Sequence, residues 1–118
     1  MNSLTTKEFK EVIFDFDKSK AWKDSLRYNG SKPCIFIMGT TWCQPCKIVT
    51  PVLEDLEKDG NFNLYKIDVD EEYEISEFFN IRSVPTILFV PLKGQPIVHT
   101  GSFPKSEIKK LIIKYFGD

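Results

Sequence analysis

The segment Trp42-Cys43-Gln44-Pro45-Cys46-Lys47 contains two of the three cysteines in this chain of 118 residues. It follows a continuous apolar run over residues 34–38, which is typical of a strand buried on both faces of a sheet. It precedes apolar residues at the spacing of one helix face, and these are Val49, Val52, Leu53 and Leu56. The two cysteines are therefore predicted to lie where a buried strand passes into a helix.

The start of a helix is a favourable place for a reactive cysteine. Unpaired backbone N–H groups and a partial positive charge lie there, and both lower the pKa of a thiol. Cys43, at the start, is expected to be the exposed and more reactive thiol, and Cys46, one turn later, the more buried one. Dithiol–disulfide exchange uses one sulfur that attacks and one that resolves. We therefore predict that Cys43 is the nucleophile and Cys46 the resolving thiol.

The hexapeptide resembles the active-site motif of the thioredoxin family, W-C-G-P-C-K, with Gln44 in place of the glycine and Pro45 retained. The resemblance implies an oxidoreductase that reduces disulfide-containing protein substrates through a mixed-disulfide intermediate. It also implies a separate reductase that recharges the Cys43/Cys46 pair, and it calls for no cofactor and no metal. Gln44 and Pro45 are expected to tune the redox properties of the pair.

A second segment, Val84-Pro85-Thr86, is similar to the cis-proline element that thioredoxins pack against their dithiol. In the family, the residue before this proline pairs its backbone with the bound substrate chain. The resemblance therefore implies that Val84 and Pro85 bind substrate and that the bond between them is cis. Gly101 matches a family glycine that lets a substrate backbone approach. Trp42 is expected to belong to the same docking surface, with core packing as the alternative.

One position departs from the family pattern. Thioredoxins usually carry a buried aspartate on the strand before the motif, and Ile37 occupies that place here. The lysine that neighbours this aspartate in the family is matched by Lys66. Because the acid is thought to move protons to and from the resolving thiol, Ile37 and Lys66 are expected to alter the redox tuning of the pair.

The remaining pattern predicts an α/β protein with the element order β-α-β-α-β-α-β-β-α. A first strand is predicted over residues 12–16 and a short helix between residues 17 and 30. The later elements are strands over residues 34–38, 62–69, 86–90 and 96–100 and helices over residues 43–58, after Asp70 and from Pro104. This order predicts a mixed central sheet with helices on both faces, and it is also the order of the thioredoxin fold.

Length and composition predict one domain over residues 1–118, because 42% of the residues are hydrophobic and single domains of this size are common. The net charge of −1 argues against a nucleic-acid partner. No apolar run approaches the ~18–20 residues of a membrane span, so no membrane partner is expected. The polar N-terminal residues lack the apolar core of a secretory signal. If Met1 is the native start, a cytoplasmic location is expected. The protein is also expected to be a monomer.

Several alternatives stay open at this point. An oxidase or isomerase of the same fold in an oxidising compartment, or a binding module with an incidental dithiol, would carry the same motif. Cys34 is expected to be a small buried hydrophobe. His99 is the only histidine and is expected on the surface or in the core. A zinc site would need more ligands than these residues offer, and a Cys–His hydrolase is the weaker enzymatic alternative.

Overall fold

A computed structural model of the chain describes residues 2–12 and 31–117. The strands of this part are β1 (Asn2–Ser3), β2 (Cys34–Gly39), β3 (Asn63–Asp68), β4 (Thr86–Val90) and β5 (Ile97–Thr100). Its helices are α1 (Thr6–Val12), α2 (Gln44–Asp59), α3 (Tyr73–Phe78) and α4 (Lys105–Phe116). From β2 onward, the order of elements is the predicted one.

Strand β2 lies at the centre of one mixed sheet with the strand order β1-β3-β2-β4-β5. It pairs parallel with β3 and antiparallel with β4, and β4 and β5 form the predicted antiparallel hairpin. Met38 lies opposite Thr86, and Gly39 lies opposite Asp68. The end of β2, the end of β3 and the start of β4 therefore lie side by side at the same end of the sheet.

Alternate side chains of β2 contribute to two hydrophobic cores, one on each face of the sheet. On one face Phe36 packs with Phe9 of α1 and with Ile75 of α3. On the other face Ile35 and Ile37 pack with residues of α2 and α4. Burial of each large apolar side chain contributes about 1.5–3 kcal/mol to the free energy of unfolding. Every residue of β2 is buried, which confirms the prediction of a strand covered on both faces.

The beginning of the chain differs from the prediction. Thr5 and Glu8 cap α1 reciprocally: the Thr5 N–H donates to Glu8 Oε1 at 3.1 Å, and the Glu8 N–H donates to Thr5 Oγ1 at 3.2 Å. The helix that starts there continues to Val12, so the prediction that Val12 opens the first strand is wrong, and β1 precedes this helix instead. Residues 13–16 of that predicted strand, and the predicted helix between residues 17 and 30, lie outside the described residues.

The later helices begin and end within a few residues of the predicted positions. Helix α2 begins at Gln44 and ends at Asp59, and Pro51 lies on its exposed side. Helix α4 begins after Pro104, which is its N-cap residue. None of the helices in residues 2–12 and 31–117 is both long enough and apolar enough to cross a membrane.

Candidate functional site

The two cysteines of the motif lie where β2 passes into α2, and they are joined by a disulfide bond. Cys43 is the N-cap residue of α2, and its Sγ accepts the backbone N–H of Cys46 at 3.2 Å. The Cys43 N–H in turn donates to the carbonyl of Thr40 at 3.4 Å. The sulfur of Cys43 thus occupies the position of an N-cap oxygen, where helix N–H groups stabilise negative charge.

The exposure of the two cysteines differs from the predicted order. Cys43 is 3% exposed and Cys46 is 6% exposed, so the prediction that Cys43 is the exposed thiol and Cys46 the more buried one is wrong for the disulfide state. The disulfide holds Cys43 Sγ against the first turn of α2, where it accepts the Cys46 N–H. Both cysteines are therefore buried in the disulfide state.

Gly39 supplies a contact that the sequence analysis missed. A Cβ atom on Gly39 would lie 2.8 Å from Cys46 Sγ and 3.3 Å from Cys46 Cβ. The first distance is shorter than a carbon and a sulfur atom tolerate without a shift of one residue. The absence of a side chain at the last residue of β2 therefore gives the sulfur of Cys46 its place.

Gly39→Ala is expected to lower the free energy of unfolding of the oxidised protein by about 1–3 kcal/mol, because it overpacks the contact with Cys46. The reduced protein should lose less, because the unlinked Cys46 side chain can move away, so the reduction potential should rise. Urea unfolding of both redox states measures this. In a double-mutant cycle with Cys46→Ala, most of the cost should disappear. An undiminished cost in that cycle would show that the effect does not come from the Cys46 sulfur.

Trp42 lies on the surface beside the disulfide and not in the core. It is 68% exposed, and its Nε1 donates a hydrogen bond to Asp70 Oδ2 at 2.9 Å. This bond fixes the indole ring against the loop that follows β3, so that most of the ring stays in contact with solvent. The core-packing alternative is thereby excluded, and a fixed, exposed aromatic ring is suited to docking another protein.

The predicted proline element lies at the same end of the sheet as the dithiol. The Val84–Pro85 bond is cis, as the resemblance implied, and Pro85 directly precedes β4, whose Thr86 pairs with Met38. The Gly101 N–H donates to the Pro85 carbonyl at 2.8 Å. Gly101 has a φ of +114°, and nothing lies within 4 Å of where its Cβ would be. This geometry joins two predicted substrate-binding positions and leaves open space beside Gly101.

The position of the family aspartate is apolar and lies opposite Lys66. Ile37 is 1% exposed and packs with Val49 and Leu53 of α2. Ile37 and Lys66 are directly paired positions on the parallel strands β2 and β3. Lys66 also lines a pocket that Cys46 borders. Lys66 and Cys46 therefore border the same pocket, and position 37, which pairs with Lys66, carries no carboxylate.

Thr40, which lines this pocket, carries a buried polar atom that the sequence analysis did not identify. The pocket has a volume of about 240 Å³, and its walls are formed by three threonines, two lysines, Pro51 and Cys46. Thr40 is one of these threonines and is 6% exposed. Its Oγ1 atom is buried and has no hydrogen-bond partner among the described residues. An unpaired buried hydroxyl lowers the free energy of unfolding by about 1–3 kcal/mol.

The other candidate residues lie beside the disulfide on the surface or away from it. Gln44 and Pro45 are exposed in the first turn of α2. Cys34 is buried at the opposite end of β2, as predicted, in the core between the sheet, α1 and α3. The His99 ring is hydrogen-bonded to the Tyr115 hydroxyl at 2.7 Å. Residues 2–12 and 31–117 contain no cluster of three or more His, Cys, Asp or Glu side chains suited to a metal ion.

His99 should make stability depend on pH. Burial, and secondarily the charge of Lys114, lower the pKa of His99 below its usual 6.5. The native state therefore resists protonation, and the unfolded state binds more protons as the pH falls below 6.5. We expect the free energy of unfolding to fall between about pH 7 and about pH 5, and to fall less in His99→Gln. Equal pH slopes for the two proteins in urea unfolding would contradict this.

Comparison with known proteins agrees with this geometry. The family profile described as Thioredoxin matches residues 2–114. A thioredoxin of Borreliella burgdorferi is 35% identical over 117 residues, which are 98% of this chain and 97% of that protein. A thioredoxin of Mycoplasmoides gallisepticum is 35% identical over 95 residues, which are 80% of this chain and 94% of that protein.

Solved structures of thioredoxins have a similar fold. The fold is similar to that of chloroplastic thioredoxin z, with a TM-score of 0.74 at 23% identity, over 98% of this chain and 93% of that one. It is also similar to the thioredoxin of Malassezia sympodialis, with a TM-score of 0.70 at 27% identity, over 98% of this chain and 90% of that one. The matching profile, the relatives and the disulfide at the start of α2 together show that the chain belongs to the thioredoxin family.

Proposed function

We propose that this thiol–disulfide oxidoreductase reduces disulfide bonds in other proteins with the Cys43/Cys46 dithiol, and that a separate reductase recharges it. The observation that carries the proposal is the Cys43–Cys46 disulfide at the N-terminus of α2. A disulfide confined to one helical turn can open to a dithiol without any rearrangement of the sheet. The two sulfurs can therefore cycle between the two redox states while the fold stays intact.

Cys43 is proposed as the nucleophile because its sulfur caps the helix. In the reduced protein the Cys46 N–H and the helix dipole would stabilise a Cys43 thiolate. The thiolate attacks a substrate disulfide and forms a mixed disulfide. Cys46 then attacks Cys43, releases the substrate thiol and forms the intramolecular disulfide again. Gln44 and Pro45, which lie between the two cysteines, are proposed to tune the reduction potential.

The protein substrate is proposed to dock on the exposed surface around the disulfide. Trp42 supplies an apolar face that its bond to Asp70 holds in place. Val84 is half-buried and precedes the cis bond, so its backbone is proposed to pair with an extended substrate segment. The open space beside Gly101 admits that segment. Backbone pairing of this kind accepts many sequences, which suits an enzyme with several protein substrates.

Insulin reduction with dithiothreitol as electron donor tests the proposal. The wild-type protein should accelerate the precipitation of reduced insulin chains, and Cys43→Ser/Cys46→Ser should act no faster than dithiothreitol alone. The matched control is Cys34→Ala, which removes the buried cysteine outside the disulfide and should keep the activity. Acceleration by the double variant would overturn the proposal and would favour a binding module with an incidental dithiol.

The reduction potential decides between a reductase and an oxidase of the same fold. A value near about −270 mV is typical of a reductant, and a value near about −120 mV is typical of a strong oxidant. We expect the reduction potential of the Cys43/Cys46 pair to be that of a reductant. We also expect Ile37 to raise this potential moderately. Equilibration of the protein with glutathione buffers measures the potential, and a value close to that of the strong oxidant would favour the oxidase.

We also propose that the protein acts as a monomer in the cytoplasm. One chain carries both cysteines, the tryptophan and the proline element, so the site is complete without a second copy. The low number of cysteines suits a reducing compartment, where disulfides have no structural role. Light scattering after size-exclusion chromatography should give the mass of one chain, 13.7 kDa, and a stable dimer would contradict the first part of the proposal.

A further inference from the structure

The indole ring of Trp42 is held by a hydrogen bond more than by packing. Trp42 is 68% exposed, so few protein atoms restrict its side-chain torsions. The Nε1–H group is the only hydrogen-bond donor of an indole ring, and Asp70 Oδ2 accepts it at 2.9 Å. The orientation of this exposed ring therefore depends on the position of one carboxylate.

The Asp70 carboxylate is itself placed by the loop that follows β3. Asp68 Oδ1 accepts the Asp70 N–H at 3.0 Å, and the Asp68 carbonyl accepts the Glu72 N–H at 2.8 Å. Between these residues, the Val69 N–H donates to the carbonyl of Gly39 at 3.0 Å. Because these bonds already fix the loop, the carboxylate loses little conformational freedom when it accepts the indole N–H.

The end of β2 holds both this loop and the dithiol. Gly39, whose carbonyl accepts the Val69 N–H, is also the residue that packs against the sulfur of Cys46. The carbonyl of the next residue, Thr40, accepts the Cys43 N–H at 3.4 Å. The loop that carries the indole acceptor and the disulfide are therefore attached to two successive residues, which fixes how they lie relative to each other.

We propose that Asp70 is a positioning residue that makes this enzyme favour protein disulfides over small-molecule disulfides, and that Asp68 supports it. The proposal rests on the proposed function. A protein substrate presents a surface beside its disulfide, and an indole ring that is already oriented contacts this surface without further loss of side-chain freedom. A small disulfide presents no such surface and needs only the Cys43 thiolate. Loss of the bond to Asp70 should therefore weaken the docking of proteins and leave the reactivity of Cys43 unchanged.

The rates at which the reduced protein is oxidised by insulin and by bis(2-hydroxyethyl) disulfide test this proposal. The oxidised fraction is measured by mass spectrometry after acid quenching, with each disulfide in excess. We expect Asp70→Ala to lower the second-order rate constant with insulin about threefold to tenfold, a range typical for the loss of one hydrogen bond. The rate constant with the small disulfide should not change. Asp70→Asn is the matched control, because its amide oxygen still accepts the indole N–H, and it should keep both wild-type rate constants.

A double-mutant cycle with Trp42→Phe separates the hydrogen bond from other effects of Asp70. Phenylalanine has no N–H group, so Asp70→Ala should cause no further loss of rate in that background. A direct readout is the solvent exchange of the Trp42 indole N–H, whose NMR resonance is the one missing from Trp42→Phe. This exchange should be faster than in the wild type in both Asp70→Ala and Asp68→Ala, and unchanged in Asp70→Asn.

Several results would overturn the proposal. Equal losses of rate with the two disulfides in Asp70→Ala would show a change in Cys43 itself, and unchanged rates with both would show that the bond has no role in docking. An undiminished loss in the Trp42→Phe background, or a loss in Asp70→Asn as large as in Asp70→Ala, would assign the effect to the charge of Asp70. A wild-type protein that does not react with insulin would instead contradict the proposed function, while the exchange of the indole N–H would still report on the bond.

Discussion

Cys43→Ser is expected to reduce the rate of insulin reduction to that of dithiothreitol alone, whereas Cys46→Ser should still attack and then stop at the mixed disulfide. The different outcomes follow from the positions of the two sulfurs. Cys43 Sγ accepts the Cys46 N–H at the N-terminus of α2, which favours its thiolate. Cys46 lies inside the first turn of α2, where its sulfur packs against Gly39 and does not cap the helix.

The trapped complex makes this prediction measurable. Cys46→Ser should accumulate a covalent adduct with a disulfide-containing protein that survives denaturing electrophoresis and disappears when dithiothreitol is added. Cys43→Ser should form no such adduct, and Cys34→Ala should behave as the wild type because Cys34 lies at the other end of β2. An adduct in Cys43→Ser and none in Cys46→Ser would show that the roles of the two cysteines are reversed.

Sequence patterns located the elements around the dithiol because those elements are determined by strong local signals. Strand β4 is a run of apolar residues between Pro85 and Pro91, and its predicted bounds agree with the structure. The start of α2 was predicted within one residue from the apolar residues at helical spacing that follow a buried strand. A proline in the first turn marks the same start. Such signals depend on neighbouring residues only, so they can be read without the tertiary structure.

The beginning of the chain was assigned incorrectly because a local signal was overlooked and a nonlocal one is invisible in the sequence. The capping box Thr5-x-x-Glu8 marks the start of α1, and it could have been recognised. Strand β1 has only two residues and owes its existence to pairing with Tyr65 and Lys66 of β3. No periodicity develops over two residues, so this strand had no detectable pattern.

Some functional residues are recognisable from local sequence, and others depend on contacts formed only in the tertiary structure. The cysteines, Trp42 and the proline element were identified from contiguous motifs. Gly39 was missed because its role depends on how closely β2 approaches α2, which a sequence does not state. The one available signal was a glycine directly before the loop to the dithiol. A glycine that ends a buried strand is a reasonable place to look for a close contact.

Ile37→Asp is expected to lower the reduction potential of the Cys43/Cys46 pair and to raise the pKa of the Cys43 thiol. Ile37 lies on the face of β2 that packs against α2, the helix that begins at the dithiol. A carboxylate there would add negative charge close to the sulfurs, and negative charge in a buried site disfavours a second anion. Because a stabilised thiolate favours the reduced state, loss of that stabilisation makes the pair more reducing.

The magnitudes follow from the same electrostatic argument. A displacement of the thiol pKa by about one unit corresponds to about 1.4 kcal/mol, which is about 30 mV for a two-electron couple. Burial of the carboxylate should also lower the free energy of unfolding by about 1–4 kcal/mol. Lys66, the directly paired position on β3, limits this loss if its ammonium group reaches the new carboxylate.

Ile37→Asn is the matched control, because asparagine has nearly the same shape and polarity as aspartate without the charge. Both variants should lose stability in urea unfolding, but only Ile37→Asp should change the thiolate absorbance titration and the potential measured in glutathione buffers. An upward change of the potential in Ile37→Asp would contradict the argument, and so would equal values in the two variants. Equal values would mean that the polarity of the side chain, and not its charge, sets the redox tuning at this position.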